Sequence, residues 1–184
     1  TPINNLMTQT QVSLSKPRNT EEYKETLYAN LEEYERLARM IADMLFLAKA
    51  DHGLIIPKRE TVDIGKEIHA LCDFYEVLAD EKSIRLDVKG QAECSGDALM
   101  LRRAFGNLLS NAIQHADSHS RITIIIERCP GTIKISITNQ GNTIPPEHLP
   151  RLFDRFYRAD ESRTRIDDGV GLGLASTQSI IKAH

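Results

Sequence analysis

Apolar residues recur at helical spacing along the start of the chain and predict two helices joined by a short loop. Residues 3–15 contain neither Gly nor Pro, and a break at 16–19 separates them from a second helix that reaches about residue 50. Asn19 and Glu22 lie three residues apart, which predicts a capping box at the start of this second helix. The helix carries an apolar seam whose spacing alternates between four and three, as in helix bundles. The seam comprises Leu27, Leu31, Tyr34, Ala38, Ile41, Leu45 and Ala48.

Two helices cannot enclose a hydrophobic core by themselves. The seam therefore predicts a homodimer through residues 1–50, in which two chains form a four-helix bundle. The alternative is a hairpin that packs against the C-terminal part of its own chain. Gly53 ends the second helix and Pro57 marks a linker. We therefore predict one domain over residues 1–56 and a second over residues 57–184.

The second domain mixes strand and helix patterns, which predicts an α+β fold with helices on one face of a mixed or antiparallel sheet. The predicted helices follow Asp63 and Asp97, which are good N-caps, and the last one follows a glycine-rich loop. The helix after Asp63 has an inward face that includes Leu78. The strands are predicted at residues 60–64, 84–88, 92–95, 122–127 and 133–138.

Two connecting stretches have weaker patterns. Residues 147–156 predict a short helix or turn, and the charge-rich residues 158–168 predict a mobile segment. The turn at residues 129–132 predicts that the strands on either side of it form an antiparallel hairpin.

The helix that follows Asp97 has an apolar stripe with polar residues along its edge. Asn107, Asn111 and His115 lie four residues apart there, half in the core and half in whatever cleft the helix borders. Asn is a poor helix former, and a buried amide without a partner costs about 1–3 kcal/mol. Two such residues one turn apart suggest a ligand that supplies their partners. The alternative is that the amides pair with nearby backbone or water.

Composition narrows the classes of protein that the chain can belong to. The 184 residues are 41% hydrophobic and 27% charged with a net charge of −3, which is typical of a globular protein and gives no basic patch for nucleic acid. Cys72, Cys94 and Cys129 are widely spaced and predict free thiols in a reducing compartment. No apolar run reaches the length of a membrane span. Thr1 is not a natural start, so we expect a piece of a longer protein.

Gly169, Gly171 and Gly173 alternate just before the last helix. Glycine lets the backbone approach a ligand closely, and backbone N–H groups at a helix start favour phosphate. The alternative is a tight loop without a ligand. The loop lacks the GK[ST] of a P-loop and has no strand before it, so it is not the dinucleotide-binding pattern.

Four motifs together resemble those of sensor histidine kinases. Residues 107–112, NLLSNA, resemble the N-box, and Asn139-Gln140-Gly141 stand where the first glycine box does. Residues 153–158, FDRFYR, resemble the phenylalanine box, and residues 168–174 resemble the second glycine box. Thr1-Pro2 matches the end of the H-box. The text LeuArgArgAla before the N-box and the run RLFDRFYR are most similar to copper and silver sensors in this family.

The resemblance implies the histidine kinase-like ATPase fold, with ATP bound between the Asn-bearing helix and the glycine boxes. Asn111 would coordinate Mg²⁺, Asn107 would help to hold metal and phosphates, and His115 would lie near the phosphates. The remaining site residues implied are Asn139, Gly141, Arg155, Arg158, Gly169, Gly171, Gly173 and Leu174. Two departures concern affinity: Asn139 replaces the usual Asp at the adenine amino group, and Gln114 replaces a basic residue near the phosphates.

The resemblance also implies partners. The phospho-accepting His would precede Thr1 by four residues and is absent from this sequence, and Thr1 would position water for phosphatase action. The phosphoryl group would pass to an Asp of a cognate response regulator. The fragment would be cytoplasmic, and the full protein would be anchored in a bacterial inner membrane by segments absent here. The alternatives are a dimeric scaffold with a degenerate nucleotide pocket and a chaperone-type ATPase of the same superfamily.

Overall fold

A computed structural model describes residues 2–159 and 170–184, so Thr1, Gly169 and most of the segment predicted to be mobile lie outside the described residues. Contacts divide the chain into two compact units, Thr1–Phe46 and Leu47–His184, and each is described by itself. The predicted domain boundary after residue 56 stays a prediction. Within the described residues, no helix combines the length and the hydrophobicity that crossing a membrane requires.

The first unit is a helical hairpin. α1 spans Pro2–Leu14, and α2 spans Thr20–Asp51 and continues into the second unit. The predicted capping box is confirmed, because the Glu22 backbone N–H donates to Asn19 Oδ1 at 2.8 Å and the Asn19 N–H donates to Glu22 Oε2 at 3.0 Å.

Two polar contacts join α1 and α2, and Leu6 of α1 is buried in the same unit, whereas the apolar seam of α2 is exposed. The Ser13 hydroxyl donates to Thr26 Oγ1 at 3.3 Å, and Asn30 Nδ2 donates to Thr10 Oγ1 at 3.4 Å. The seam residues are exposed in the single chain, Leu27 at 66% and Leu45 at 60% for example. A face of this size without a cover is typical of a surface that another chain buries.

In its described residues, the second unit has two small sheets and three helices beyond the end of α2. β1 (Glu60–Asp63) pairs antiparallel with β3 (Glu93–Gly96). β4 (Arg121–Cys129) lies between β2 (Arg85–Lys89), which is parallel to it, and β5 (Thr132–Thr138), which is antiparallel. The helices are α3 (Ile64–Glu81), α4 (Ala98–His115) and α5 (Gly173–Ala183). Residues 147–156 contain one short 3₁₀ turn, Leu149–Arg151, in agreement with the predicted short helix or turn.

The core lies between β4 and the helices on one face of the mixed sheet, as the predicted fold class requires. Ile122 and Ile124 of β4 are fully buried, and they belong to the same cluster as Phe105 and Ile113 of α4. The antiparallel β4–β5 hairpin is confirmed. The expectation that Leu78 faces inward is wrong, because its side chain is 43% exposed.

Asp97 caps α4 as predicted. Its carboxylate accepts hydrogen bonds from the backbone N–H groups of Met100 and Lys58, each at 3.0 Å. The Met100 bond is the main cause that lowers the pKa of Asp97 below its ordinary value of 3.8. Since the charged form is favoured in the folded state, this stabilisation is complete above the unfolded-state pKa and is lost as pH falls through the lowered pKa.

We expect Asp97→Ala to lower the free energy of unfolding at pH 7 by about 1 kcal/mol. Asp97→Asn keeps a capping oxygen, so at pH 7 it should lose less stability than Asp97→Ala does. Because the amide cannot titrate, the stability of Asp97→Asn should also fall less than that of the parent protein when the pH drops below about 5. Urea denaturation of the three proteins from neutral to acid pH measures this. An equally steep acid dependence in Asp97→Asn would contradict the assignment.

Lys82 closes the opposite end of α4, a role that the sequence did not indicate. Its half-buried ammonium donates to the carbonyl oxygens of Ile113 at 2.9 Å and Gln114 at 2.7 Å. These carbonyls belong to the last turn of α4, where the helix dipole also favours a cation.

Removing the ammonium in Lys82→Met should lower the free energy of unfolding by about 1–2 kcal/mol. Lys134→Met is the matched control, because its exposed ammonium pairs with Glu127 at 3.7 Å and its loss should change stability by less than about 0.5 kcal/mol. Equal losses in the two variants, measured by urea denaturation, would exclude the capping role.

Candidate functional site

α4 and α5 run antiparallel and are joined at three levels. The Asp97 backbone N–H donates to His184 Nε2 at 2.9 Å, where α4 begins and α5 ends. The Thr177 hydroxyl is buried between the two helices and donates to the carbonyl oxygen of Gly173 at 2.9 Å. The same hydroxyl lies 3.5 Å from the carbonyl oxygen of Ala104 in α4. The contacts fix α5, and with it the loop before it, against the edge of α4.

Asn107 makes the third connection. Its Nδ2 donates to the carbonyl oxygen of Gly173 at 3.1 Å, so the Asn-bearing edge of α4 meets the first residue of α5. A Cβ at Gly173 would lie 3.6 Å from Asn107 Cγ, so the two residues are in van der Waals contact as well. Two of the sequence-predicted site residues, 66 positions apart in the chain, are therefore brought together.

The amide oxygens on this edge have no partner among the residues that the structure describes. Asn107 and Asn111 are half-buried, and neither Oδ1 accepts a hydrogen bond from the part of the chain that the structure describes. Neutral amide oxygens suit a hard cation such as Mg²⁺, so the residues present fit this metal. Within the same described residues there is no group of three or more His, Cys, Asp and Glu side chains that could hold a metal ion.

The loop after β5 reaches the end of α4. Gly141 forms an antiparallel bridge with Ala116, and the Asp117 N–H donates to the carbonyl oxygen of Gln140 at 2.8 Å. A Cβ at position 141 would lie only 2.2 Å from the His115 carbonyl oxygen, so this close approach requires glycine. Half-buried Asn139 is thereby held beside the C-terminal end of α4, while the His115 side chain is exposed.

The phenylalanine-box region is joined to the glycine loop. The Phe156 N–H donates to the carbonyl oxygen of Gly171 at 2.9 Å. Gly171 has a φ of 77°, and a Cβ there would lie 2.9 Å from the Tyr157 carbonyl oxygen, so only glycine fits without strain. The two ends that flank residues 160–169 therefore meet. Phe153 and Phe156 are about half exposed, at 46% and 51%, which is not ordinary core packing.

The charged residues of this region have partners of their own. Arg155 donates a hydrogen bond to Asp51, which lowers the pKa of that carboxyl below its usual range. His148 Nδ1 lies 2.5 Å from the Tyr157 hydroxyl, and the Arg151 guanidinium stacks 4.2 Å from the centre of the same ring. Arg155 is therefore engaged by an acid of the second unit, and Arg158 is half-buried.

Two of the predicted site residues, Thr1 and Gly169, lie outside the described residues. Leu174 is half-buried in the first turn of α5. Sequence reasoning missed Thr177, whose hydroxyl supports the Gly173 carbonyl. The sequence did contain a signal for this contact, because Thr177 follows Gly173 by four residues at the start of a predicted helix. At this spacing a threonine hydroxyl can donate a hydrogen bond to the carbonyl oxygen one turn earlier.

Comparison with known families and proteins identifies the group to which the chain belongs. The family model of the His Kinase A (phospho-acceptor) domain matches residues 1–53. That of the Histidine kinase-, DNA gyrase B-, and HSP90-like ATPase matches residues 96–184. The whole chain is 45% identical to the sensor histidine kinase CusS of Escherichia coli K12, over 38% of that protein's length. The chain belongs to the sensor histidine kinases.

Other similar proteins agree with this membership. This histidine kinase chain is 48% identical over its whole length to the probable sensor protein PcoS of Escherichia coli, of which it covers 40%. Among solved structures, the histidine kinase AdeS of Acinetobacter baumannii has a TM-score of 0.81 at 20% identity, over all of this chain and 84% of that one. Histidine kinase ThkA, solved in complex with response regulator protein TrrA, has a TM-score of 0.68 at 17% identity, over 85% of this chain and 47% of ThkA.

The fold of these two solved structures is shared, which confirms the predicted helical hairpin followed by an α/β domain with a mixed sheet. The chain spans about two fifths of the length of the curated relatives it matches.

Proposed function

We propose that this chain is the dimerisation and ATP-binding core of a sensor histidine kinase. The kinase transfers the γ-phosphoryl group of ATP to a His four residues before Thr1, and then to an Asp of a response regulator. The observation that carries the proposal is the junction of α4 with Gly173, where the amide oxygens of Asn107 and Asn111 accept no hydrogen bond from residues 2–159 or 170–184.

In this proposal, ATP binds in a groove between α4 and the start of α5, and different residues of the chain bind different parts of it. Asn111 and Asn107 hold Mg²⁺ through their amide oxygens, and the cation offsets the negative charge of the phosphates when bound. The first-turn N–H groups of α5, from Gly173 and Leu174, face the phosphates as helix N-termini do. Asn139 accepts from the adenine amino group at the other end, without the charge that an Asp would supply. Arg158 lies nearer the phosphates, whereas His115 precedes Ala116, the bridge partner of Gly141, and so borders the Asn139 end of the groove.

The amide at position 107 determines which acceptor the site favours. An amide cannot take a proton from water, so Asn107 cannot serve as the general base of a hydrolase. The site is therefore suited to transfer to a positioned His rather than to water. In the opposing phosphatase reaction, the Thr1 hydroxyl positions the water that hydrolyses the aspartyl phosphate of the regulator and releases inorganic phosphate.

The partners follow from the first unit. The exposed seam of α2 and the match to a phospho-acceptor domain support a homodimer through residues 1–50. The complex of ThkA with TrrA supports a response regulator as the second partner. The similarity to CusS and PcoS, together with the LeuArgArgAla and RLFDRFYR runs, supports a metal ion as the stimulus and a bacterial inner membrane as the location of the full protein.

The central experiment measures ATP binding to the 184-residue chain by calorimetry, with Mg²⁺ and with EDTA. Saturable binding that requires Mg²⁺ supports the proposal, and its absence overturns the nucleotide site. A longer chain that includes the residues before Thr1 is then incubated with [γ-³²P]ATP. An acid-labile phosphoprotein that transfers its label to a response regulator supports the kinase assignment. The matched kinase domains do not favour the alternatives of a scaffold, which would bind no ATP, or a chaperone-type ATPase, which would release phosphate without a phosphoprotein.

A further inference from the structure

Two arginines lie side by side on the solvent face of the mixed sheet. Arg85 begins β2, Arg121 begins β4, and the two are direct partners in the parallel ladder. Neighbouring strands are about 4.8 Å apart, so the two side chains leave the sheet on the same face as close neighbours. Both are exposed, and like charges placed next to each other in a sheet destabilise it.

Other cations on this face have an acid beside them. Lys89 pairs with Asp87 at 3.4 Å, and Lys134 pairs with Glu127 at 3.7 Å. Within the described residues, neither Arg85 nor Arg121 has an ion pair or a side-chain hydrogen bond. The like-charged pair is thus not neutralised by the described part of the chain.

The two arginines line a cavity of about 750 Å³ that is widely open to solvent, which leaves room for a small anion. Ser83 and His119 shape it, both in the left-handed backbone region with φ of 54° and 62°, and the His119 N–H donates to the carbonyl oxygen of Lys82 at 2.9 Å. The remaining lining residues are Asp80, Ile84, Ser120 and Gln140.

A second observation points to a missing hydrogen-bond partner at the same place. The hydroxyl of Ser120 is buried, and no described residue supplies its hydrogen bond. Arginine guanidinium groups hold phosphate oxygens through paired N–H donors, and a hydroxyl adds one more donor. Asp80 is the one acid of the lining, so the charge of the cavity stays positive.

We propose that this cavity binds a small phosphate-type anion with at least two negative charges, held by Arg85 and Arg121. The site is distinct from the metal and phosphate end of the proposed ATP groove, because its lining contains none of Asn107, Asn111, Gly171 and Gly173. It borders the first glycine box through Gln140 alone. Occupancy neutralises the like-charged pair at the start of the parallel strands, so the anion stabilises the second unit.

The test uses the full 184-residue chain and sodium pyrophosphate at constant ionic strength, followed by amide chemical shifts in NMR. Saturable shifts are expected at Arg85, Ser120 and Arg121. Arg85→Gln and Arg121→Gln should each weaken this binding about tenfold, since each removes one charged partner. Both variants should fold, because each relieves the repulsion between the arginines.

Two further variants make the result specific. Asp80→Asn removes the opposing charge and should strengthen pyrophosphate binding several-fold. Arg128→Gln removes an exposed cation outside the cavity, on the same strand, and should leave the affinity unchanged. The proposal is overturned if shifts at Arg85 and Arg121 are absent at millimolar pyrophosphate, if either arginine variant binds as well as the parent, or if Asp80→Asn binds more weakly.

The failure of this site and that of the ATP site are distinguishable. Asn111→Ala should keep the pyrophosphate shifts at Arg85, and Arg85→Gln should keep Mg²⁺-dependent ATP binding. A chain that binds pyrophosphate here but binds no ATP would overturn the proposed function alone.

Discussion

Replacing Asn111 by Ala is expected to weaken Mg²⁺-dependent ATP binding by about 100-fold without lowering the stability of the protein. The Asn111 side chain makes no hydrogen bond within the described residues, so its removal leaves no protein group without a partner. Because Ala is a better helix former than Asn, the free energy of unfolding should rise by about 0.5 kcal/mol. A purely structural amide would give the opposite change in stability.

The comparison with Asn107→Ala makes this prediction sharper. Asn107 donates to Gly173 at 3.1 Å, so its replacement should lower the free energy of unfolding by about 1 kcal/mol as well as weaken ATP binding. Asn5→Ala is the control, since Asn5 is exposed on α1 and the substitution should leave ATP affinity unchanged. Calorimetric ATP titrations and urea denaturation of the three variants give both quantities. Unchanged ATP affinity in Asn111→Ala would exclude it as a metal ligand.

The second large effect is expected at Gly141. A methyl group there would meet the His115 carbonyl oxygen at 2.2 Å, a contact with backbone at the end of a helix that cannot move aside freely. Gly141→Ala must therefore break the bridge to Ala116 and shift the loop that carries Asn139. We expect a loss of about 2–3 kcal/mol in the free energy of unfolding, together with weaker ATP binding from the displaced Asn139.

The control variant Gly131→Ala separates the cost of a steric clash at position 141 from the cost of a left-handed backbone conformation. Gly131 has a φ of 76°, and a Cβ there meets no atom within 4 Å, so the cost should be only that of the left-handed conformation, about 1 kcal/mol. ATP affinity should not change in this control. If urea denaturation gives Gly141→Ala the same stability as Gly131→Ala, the close approach at position 141 does not hold.

Local features of the fold could be predicted from the sequence because each has a short-range cause. The Asn19–Glu22 box and the caps at Asp63 and Asp97 join residues three apart, and all three are present. The β4–β5 hairpin is likewise set by its short turn. The parallel pairing of β2 with β4 was left open, because α4 and β3 lie between them and no local pattern fixes that register.

The parts of the site that were missed are long-range contacts. Asn107 meets Gly173 across 66 residues, and Lys82 reaches the end of α4 across more than 30. Nothing in the surrounding sequence marks either contact. Leu78 shows the limit of periodicity, since it lies on the predicted apolar face of α3 and is nevertheless 43% exposed. The motif residues could be found by resemblance, whereas their contacts required the fold.

The bond from Asn107 to Gly173 also has a consequence for the rate at which the groove fills. Asn107 Nδ2 carries two N–H groups, so a phosphate oxygen can accept from the second while the bond to the Gly173 carbonyl stays intact. The amide is therefore already held in one orientation before nucleotide arrives. Association should need no rearrangement of this contact, and its observed rate should rise in proportion to nucleotide concentration.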